Sequence, residues 1–247
     1  MGQLDGKVVV VTGASSGIGR ATAHRFAQEG ATTLMLARRK ERLDEAAIAA
    51  GERAVPIPTD VGVPQAVNAA FEQVAERFGV LHALVNVAGT ASLRLIEEAS
   101  DEDIVGTMAT NLLGPIYTSR AAIPLLRKGG GGDIVNVSSE STLDPFPFLT
   151  LYNTSKGGLD VFTKALGEEL RGDRVRVSLF VAGTTNTNFA EAWPPEELER
   201  VLPVWAEHVR AGEIKQMRPE WVADALLYVI TRPAGQIIDV VQVRTHH

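Results

Sequence analysis

Lys7-Val8-Val9-Val10-Val11-Thr12-Gly13-Ala14-Ser15-Ser16-Gly17-Ile18-Gly19 opens with an unbroken β-branched run and closes on three spaced glycines. Four consecutive valines predict a strand buried on both faces of a parallel sheet, ended at Gly13. An apolar-periodic helix follows through Ala23, Phe26 and Ala27 to Gly30. Strand, glycine-rich turn and helix start, in that order, meet the needs of a dinucleotide pyrophosphate. The glycines let backbone N–H groups approach, and the helix N-terminus supplies positive potential. Lone glycines mark plain turns, but this context favours a nucleotide site at Gly13, Ser15, Ser16, Gly17, Ile18 and Gly19. The spacing is G-x-x-x-G-x-G, not the commoner G-x-G-x-x-G.

Further along, Tyr152-Asn153-Thr154-Ser155-Lys156 sets a phenol and an ammonium four residues apart. On a helix such a pair shares one face and can enter one cleft. A neighbouring cation favours the phenolate, which brings a phenol with an ordinary pKa of about 10 closer to neutral pH and to efficient proton exchange. Taken alone, the pair reads equally well as a half-buried ring beside a solvated amine.

The 247 residues, 45% hydrophobic and 22% charged with 23 glycines, suit one soluble α/β domain covering residues 1–247. The net charge of −6 argues against a nucleic-acid surface while leaving room for a local basic pocket. With no Cys, disulfides, thiolate catalysis and Cys-ligated zinc are excluded, and no metal site is expected. Neither a signal-peptide core nor an apolar run approaching the roughly 20 residues of a membrane helix is present, so a cytoplasmic location is expected.

From Gly13 through Gly19 the sequence resembles the short-chain dehydrogenase/reductase family, and the likeness continues nearly end to end. It implies a Rossmann-like doubly wound sheet of seven parallel strands with helices on both faces. In family members that prefer NAD, an acidic residue at the end of the second strand holds the ribose hydroxyls. Here the strand Thr32 to Ala37 runs into Arg38 and Arg39. Arginine pairs bidentately with a 2′-phosphate that a carboxylate would repel, so NADP(H) is preferred over NAD(H). The alternative is a solvated helix start formed by Arg38, Arg39, Lys40 and Arg42, although basic residues at a helix N-terminus oppose its dipole and invite an anion.

By the same resemblance Asp60 contacts the adenine amino group with support from the Val61 backbone; Asp60 would equally serve as a cap for the helix beginning near Pro64. Asn86-Val87-Ala88-Gly89 is similar to the family's Asn-Asn-Ala-Gly, which assigns Asn86, Ala88 and Gly89 to the cofactor. Asn111, in a long helix over 101–127 interrupted near Gly114-Pro115, matches the family Asn that supports a water-linked proton path to the catalytic lysine. Ser139 lies thirteen residues before Tyr152, the family spacing for the serine that holds the substrate carbonyl; Ser138 is the weaker candidate. The implied catalytic set is Asn111, Ser139, Tyr152 and Lys156, and the last two also hold the nicotinamide ribose. Glu140 faces either substrate or solvent.

Gly157 and Gly158 follow Lys156 inside the helix, where each costs about 1 kcal/mol relative to Ala. Close helix packing would account for them, and in the family this helix joins a four-helix interface, so a homodimer or homotetramer is implied. After the sixth strand, the resemblance assigns Gly183, Thr185 and Thr187 to the cofactor, with Thr187 placed to touch the nicotinamide carboxamide. Ala182 stands where the family usually has Pro, which loosens the turn. Residues 188–216 carry Phe189, Trp193 and Trp205 among charges and prolines. They read either as a mobile lid over an apolar substrate or as a packed surface helix pair.

The activity implied is NADP(H)-dependent hydride transfer between nicotinamide and a small-molecule ketone or secondary alcohol, with neither nucleic acid nor membrane as partner. Two other readings stand beside it: a non-catalytic NADP(H)-binding redox sensor, and an isomerase or lyase on the same fold.

Overall fold

Valine and leucine runs bounded by Gly, Pro and Asp become parallel strands in a computed structural model of the chain, which describes residues 2–208 and 216–245. The strands are β1 (Val8–Thr12), β2 (Thr32–Ala37), β3 (Ala54–Pro58), β4 (Ala83–Asn86), β5 (Gly132–Ser139), β6 (Val175–Ala182) and β7 (Val240–Val243). They form one seven-stranded sheet in the order β3-β2-β1-β4-β5-β6-β7, with every pairing parallel. The order reverses at β1, since the chain builds outward to β3 and then returns to lay β4 on the other side. Loops leaving β1 and β4 therefore diverge and open a crevice at the carboxyl ends of the strands. Pro56 and Pro58 both fall in β3, an edge strand, where a missing N–H leaves no inner ladder broken.

Side chains alternate across the pleat. Val9 and Val11 face a core shared with Phe26, Met35, Val222 and Leu226, beneath helices α1 (Gly17–Gln28), α2 (Lys40–Ala50) and α8 (Pro219–Ile230). Val10 faces the opposite core with Leu34, Phe71, Leu126 and Leu166, beneath α3 (Pro64–Phe78), α5 (Gly114–Lys128) and α6 (Thr150–Glu169). Each such fully buried large side chain contributes about 1.5–3 kcal/mol. The result is a Rossmann-like fold, doubly wound as the sequence implied. A smaller apolar cluster of Leu93, Leu149 and Val201 lies beneath Phe146, Trp193 and Trp205, where α7 (Pro195–His208) packs. Residues 209–215 of the expected lid lie outside the described residues.

The helix expected over 101–127 is not broken at Gly114-Pro115. It runs as α4 (Asp101–Met108), a π-helical turn at Ala109–Leu113 and then α5. The Gly114 N–H reaches back five residues to the Ala109 carbonyl, and the next nitrogen belongs to Pro115, which has no hydrogen to give. The turn thus widens around Asn111. Gly158 has the close neighbour expected of it, since a Cβ there would lie 3.1 Å from the Leu112 side chain; Gly157 would meet nothing within 4 Å and faces open space. Among the described residues, no helix is long and apolar enough to cross a membrane.

Candidate active site

The crevice at the sheet's carboxyl edge is a cavity of about 430 Å³ running from Arg38 and Arg39 past the glycine-rich turn to Tyr152 and Trp205. Gly13 shapes its floor. Its backbone is left-handed, φ 68°, and a Cβ there would come within 2.9 Å of the Ala88 backbone, so only glycine lets β1 and β4 approach this closely. Thr12 locks the same approach: its Oγ1 accepts the Val87 N–H at 3.0 Å and the Ala88 N–H at 3.1 Å. That role went unnoticed in the sequence, although Thr12 sits beside the first motif glycine.

Ser16 is the N-cap of α1, but its side chain makes no capping bond, which leaves first-turn N–H groups facing the cavity. Arg39 Nη2 reaches Ser16 Oγ at 3.3 Å, and among the described residues neither Arg38 nor Arg39 forms an ion pair. Free backbone donors, a glycine floor and unpaired guanidinium groups together fit a phosphate-bearing dinucleotide. Asp60 and Val61 line the same cavity. Asp60 does not cap α3, whose N-cap is Val63; its Oδ1 accepts the Gly62 N–H at 2.9 Å.

At the other end Ser139, Tyr152 and Lys156 come together. Ser139 ends β5, while Tyr152 and Lys156 project from the first turns of α6. Ser138 also lines the cavity, but its hydroxyl is tied to the carboxylate of Asp160. Lys156 is 4% exposed; its Nζ donates to the Val137 carbonyl at 2.8 Å and stands 5.9 Å from the centre of the Tyr152 ring. Burial pushes the ammonium pKa down to about 8, and the Asp160 charge opposes that fall. Burial pushes the Tyr152 phenol up, opposed by its hydrogen bond with Ser139. The effect expected of Lys156, a cation favouring the phenolate, is thus opposed by the burial of the ring.

Two predicted residues do not line the cleft. Asn86, 2% exposed, gives its Nδ2 to Asn136 at 2.8 Å and accepts from Thr118 Oγ1 at 2.7 Å, so it joins two strands and a helix instead of reaching the ribose. A side chain that alternates inward at the end of β4 cannot also face the loop above it. Asn111 is fully buried behind the cleft. It exchanges two hydrogen bonds of 2.8 Å with the Thr90 backbone and gives a third to Ser155. Its Oδ1 and the Lys156 Nζ still flank one point, 3.6 Å and 3.7 Å from where a Gly89 Cβ would lie.

Gly183, Thr185 and Thr187 line the cavity, as does Glu140, which turns toward the loop after β6. Beyond them runs a chain of edge-on rings. Tyr152 to Phe189 is 5.4 Å, Phe189 to Trp193 5.6 Å, Trp193 to Trp205 6.0 Å and Trp205 to Phe146 5.5 Å. The two indoles donate across the mouth, Trp193 to the Ala91 carbonyl at 2.8 Å and Trp205 to the Pro147 carbonyl at 2.9 Å. Arg94–Glu197 at 2.6 Å and Arg200–Glu98 at 2.7 Å tie α7 to the loop after β4. Segment 188–208 therefore packs beside Tyr152 at this end of the cavity.

The family model for short chain dehydrogenase matches residues 7–198. The chain belongs to the short-chain dehydrogenase family. It is similar to carbonyl reductase family member 4 of Danio rerio, 33% identical over 94% of this chain and 95% of that one. L-sorbose reductase from Gluconobacter frateurii, solved with NADPH and L-sorbose, is 31% identical with a TM-score of 0.84, covering 98% and 97% of the two chains. A 3-ketoacyl-(acyl-carrier-protein) reductase from Brucella melitensis, solved with NADH, is 26% identical with the same TM-score over 97% of each chain. A short-chain dehydrogenase in which a phenol, a serine hydroxyl and a buried ammonium converge has the parts for oxidoreductase chemistry on a small molecule in a nicotinamide-binding cleft.

Proposed function

We propose that this short-chain dehydrogenase is an NADP(H)-dependent carbonyl reductase or alcohol dehydrogenase acting on an apolar, ring-sized ketone or secondary alcohol. The observation that carries the reading is one cleft with two unlike ends: Ser139, Tyr152 and Lys156 at one, Arg38 and Arg39 at the other. Solved relatives bind NADPH in one case and NADH in another. The preference for NADP(H) therefore rests on the unpaired arginines and the lack of a carboxylate at Ala37. When bound, the nicotinamide supplies or accepts the hydride.

The chain's own residues orient the substrate and move the proton. Ser139 Oγ and Tyr152 Oη donate to the carbonyl oxygen and stabilise the negative charge that develops there. Tyr152 gives up its proton to that oxygen. Lys156 stabilises the resulting phenolate by its charge and holds the ribose hydroxyls. The lysine pKa of about 8 lets it exchange protons near neutrality. Asn111 acts from behind the cleft: Pro115 leaves the π turn short of a donor, so a backbone carbonyl there can hold the water that resupplies Lys156. Phe146, Phe189, Trp193 and Trp205 set the preference for an apolar body, and segment 188–216 acts as the lid that excludes water. The proposal includes a homodimer or homotetramer, since Val105, Leu113 and Val161 are exposed on neighbouring helices, and a cytoplasmic location, where nicotinamide pools lie.

The test follows NADPH absorbance while aryl and cyclic ketones are presented to the enzyme and to its Tyr152→Phe variant. The enzyme should consume at least one ketone in step with NADPH, and the variant should lose at least about 10²-fold in turnover. Near-normal turnover by the variant rejects the assignment. Substrate conversion without net cofactor oxidation would indicate isomerase or lyase chemistry instead.

A further inference from the structure

We infer that Glu140 is a positioning residue that fixes the nicotinamide-binding turn in place of the proline this chain lacks; the inference rests on the cofactor reading above. The register pairs Ser139 with Ala182, the last residues of β5 and β6. Immediately beyond, β5 turns aside into a short 3₁₀ helix at Glu140–Thr142, leaving the turn after β6 without a strand neighbour on that side. Glu140 supplies the missing acceptor. Its Oε1 takes the Thr184 N–H at 2.8 Å and the Thr184 hydroxyl at 2.9 Å. Both hydrogen bonds end on a carboxylate, the stronger class of such contacts.

The same side chain closes the turn from a second direction. A Cβ on Gly183 would lie 3.1 Å from Glu140 Oε2 and 2.9 Å from the Arg244 Cβ, so Gly183 is packed between the carboxylate and the end of β7. The turn is also tied by backbone bonds, Gly183 N–H to the Val243 carbonyl at 2.8 Å, Met217 N–H to the Thr184 carbonyl at 2.9 Å and Asn186 N–H to the Met217 carbonyl at 2.9 Å, and by its own Thr185 hydroxyl on the Gly183 carbonyl at 2.9 Å. Glu140 adds a side-chain hold from β5 on a turn that lines the cleft, and Thr185 and Thr187 follow directly along it. Proline would have fixed φ at residue 182; Ala182 is held instead by its pairing with Ser139 and Val243, and the two side-chain bonds restrain the turn two residues further on, at Thr184.

The test measures NADPH binding by fluorescence titration and inhibition by 2′,5′-ADP, which carries the adenosine 2′-phosphate but no nicotinamide. Glu140→Ala should weaken NADPH about 10-fold and lower kcat, while leaving 2′,5′-ADP binding within about 2-fold. Glu140→Gln keeps an acceptor oxygen for Thr184 and should recover NADPH binding to within about 3-fold of the parent. Thr184→Val loses one of the two bonds without disturbing charge; it should weaken NADPH about 3-fold, and adding Glu140→Ala should produce less than the product of the two effects. Equal weakening of NADPH and 2′,5′-ADP would overturn the inference, as would a Gln variant as impaired as the Ala variant. A parent chain that binds no NADPH removes the cofactor reading itself. A parent that binds while Glu140→Ala binds equally well removes this inference alone.

Discussion

Lys156 keeps its charge almost wholly out of water, with one backbone carbonyl at 2.8 Å and the Asp160 carboxylate one helical turn further on. Burial has already moved its pKa down to about 8. Above that pH the group is mostly neutral and no longer stabilises a phenolate. The kcat/KM for ketone reduction should therefore fall as pH rises through about 8. Asp160→Asn removes the charge that favours the ammonium, so the lysine pKa drops and the falling limb moves to lower pH; a pH–rate profile reads the shift. A limb that stays in place would assign the titration to another group. Tyr152 itself titrates higher than an ordinary phenol, so the proton it donates remains bound across that range.

At the scale of elements, the π turn and the lid each solve a local problem. Widening the helix at Ala109–Leu113 aims Asn111 at the Thr90 backbone, where one side-chain amide satisfies a donor and an acceptor. Asn111→Ala leaves both groups without partners and should cost about 1–3 kcal/mol, seen as a lower urea midpoint with an unchanged slope. The proposed lid is held by two indole N–H groups. Trp193→Phe keeps the ring but loses the bond to the Ala91 carbonyl. It should raise KM for an apolar ketone several-fold with less change in kcat, because closure is weakened while the proton machinery stands. An equal fall in kcat at constant KM would instead place the indole in the chemistry.

The whole molecule is acidic, net −6, yet the end of the second strand delivers Arg38 and Arg39 to one end of the cleft. That pair of positive charges is the basis of the proposed preference for NADP(H). Arg39→Ala should raise KM for NADPH about 10-fold or more while KM for NADH changes little; equal effects on both cofactors would show that the 2′-phosphate is bound elsewhere. Val161, 68% exposed on α6 beside the open space at Gly157, belongs to the face proposed for self-association. Val161→Asp should lower the mass measured by light scattering to that of the monomer.

Much of this was legible locally. The valine run, the glycine turn and the Tyr152–Lys156 spacing declare a nucleotide-binding parallel sheet because strand burial, left-handed backbone and helix periodicity depend on neighbours close in the chain. Arg38 and Arg39 were readable for the same reason, as the residues directly after a strand that ends at the crevice. What only the tertiary structure decided depends on groups brought in from far along the chain. Asn86 turned out to bind Asn136 and Thr118, Asn111 was drawn behind the cleft by Thr90, and Glu140 was directed to Thr184 by the register of β5 against β6. The Tyr152 pKa is of this kind as well. The sequence places a cation four residues away, but the depth of burial decides the direction of the shift, and burial belongs to the packed molecule.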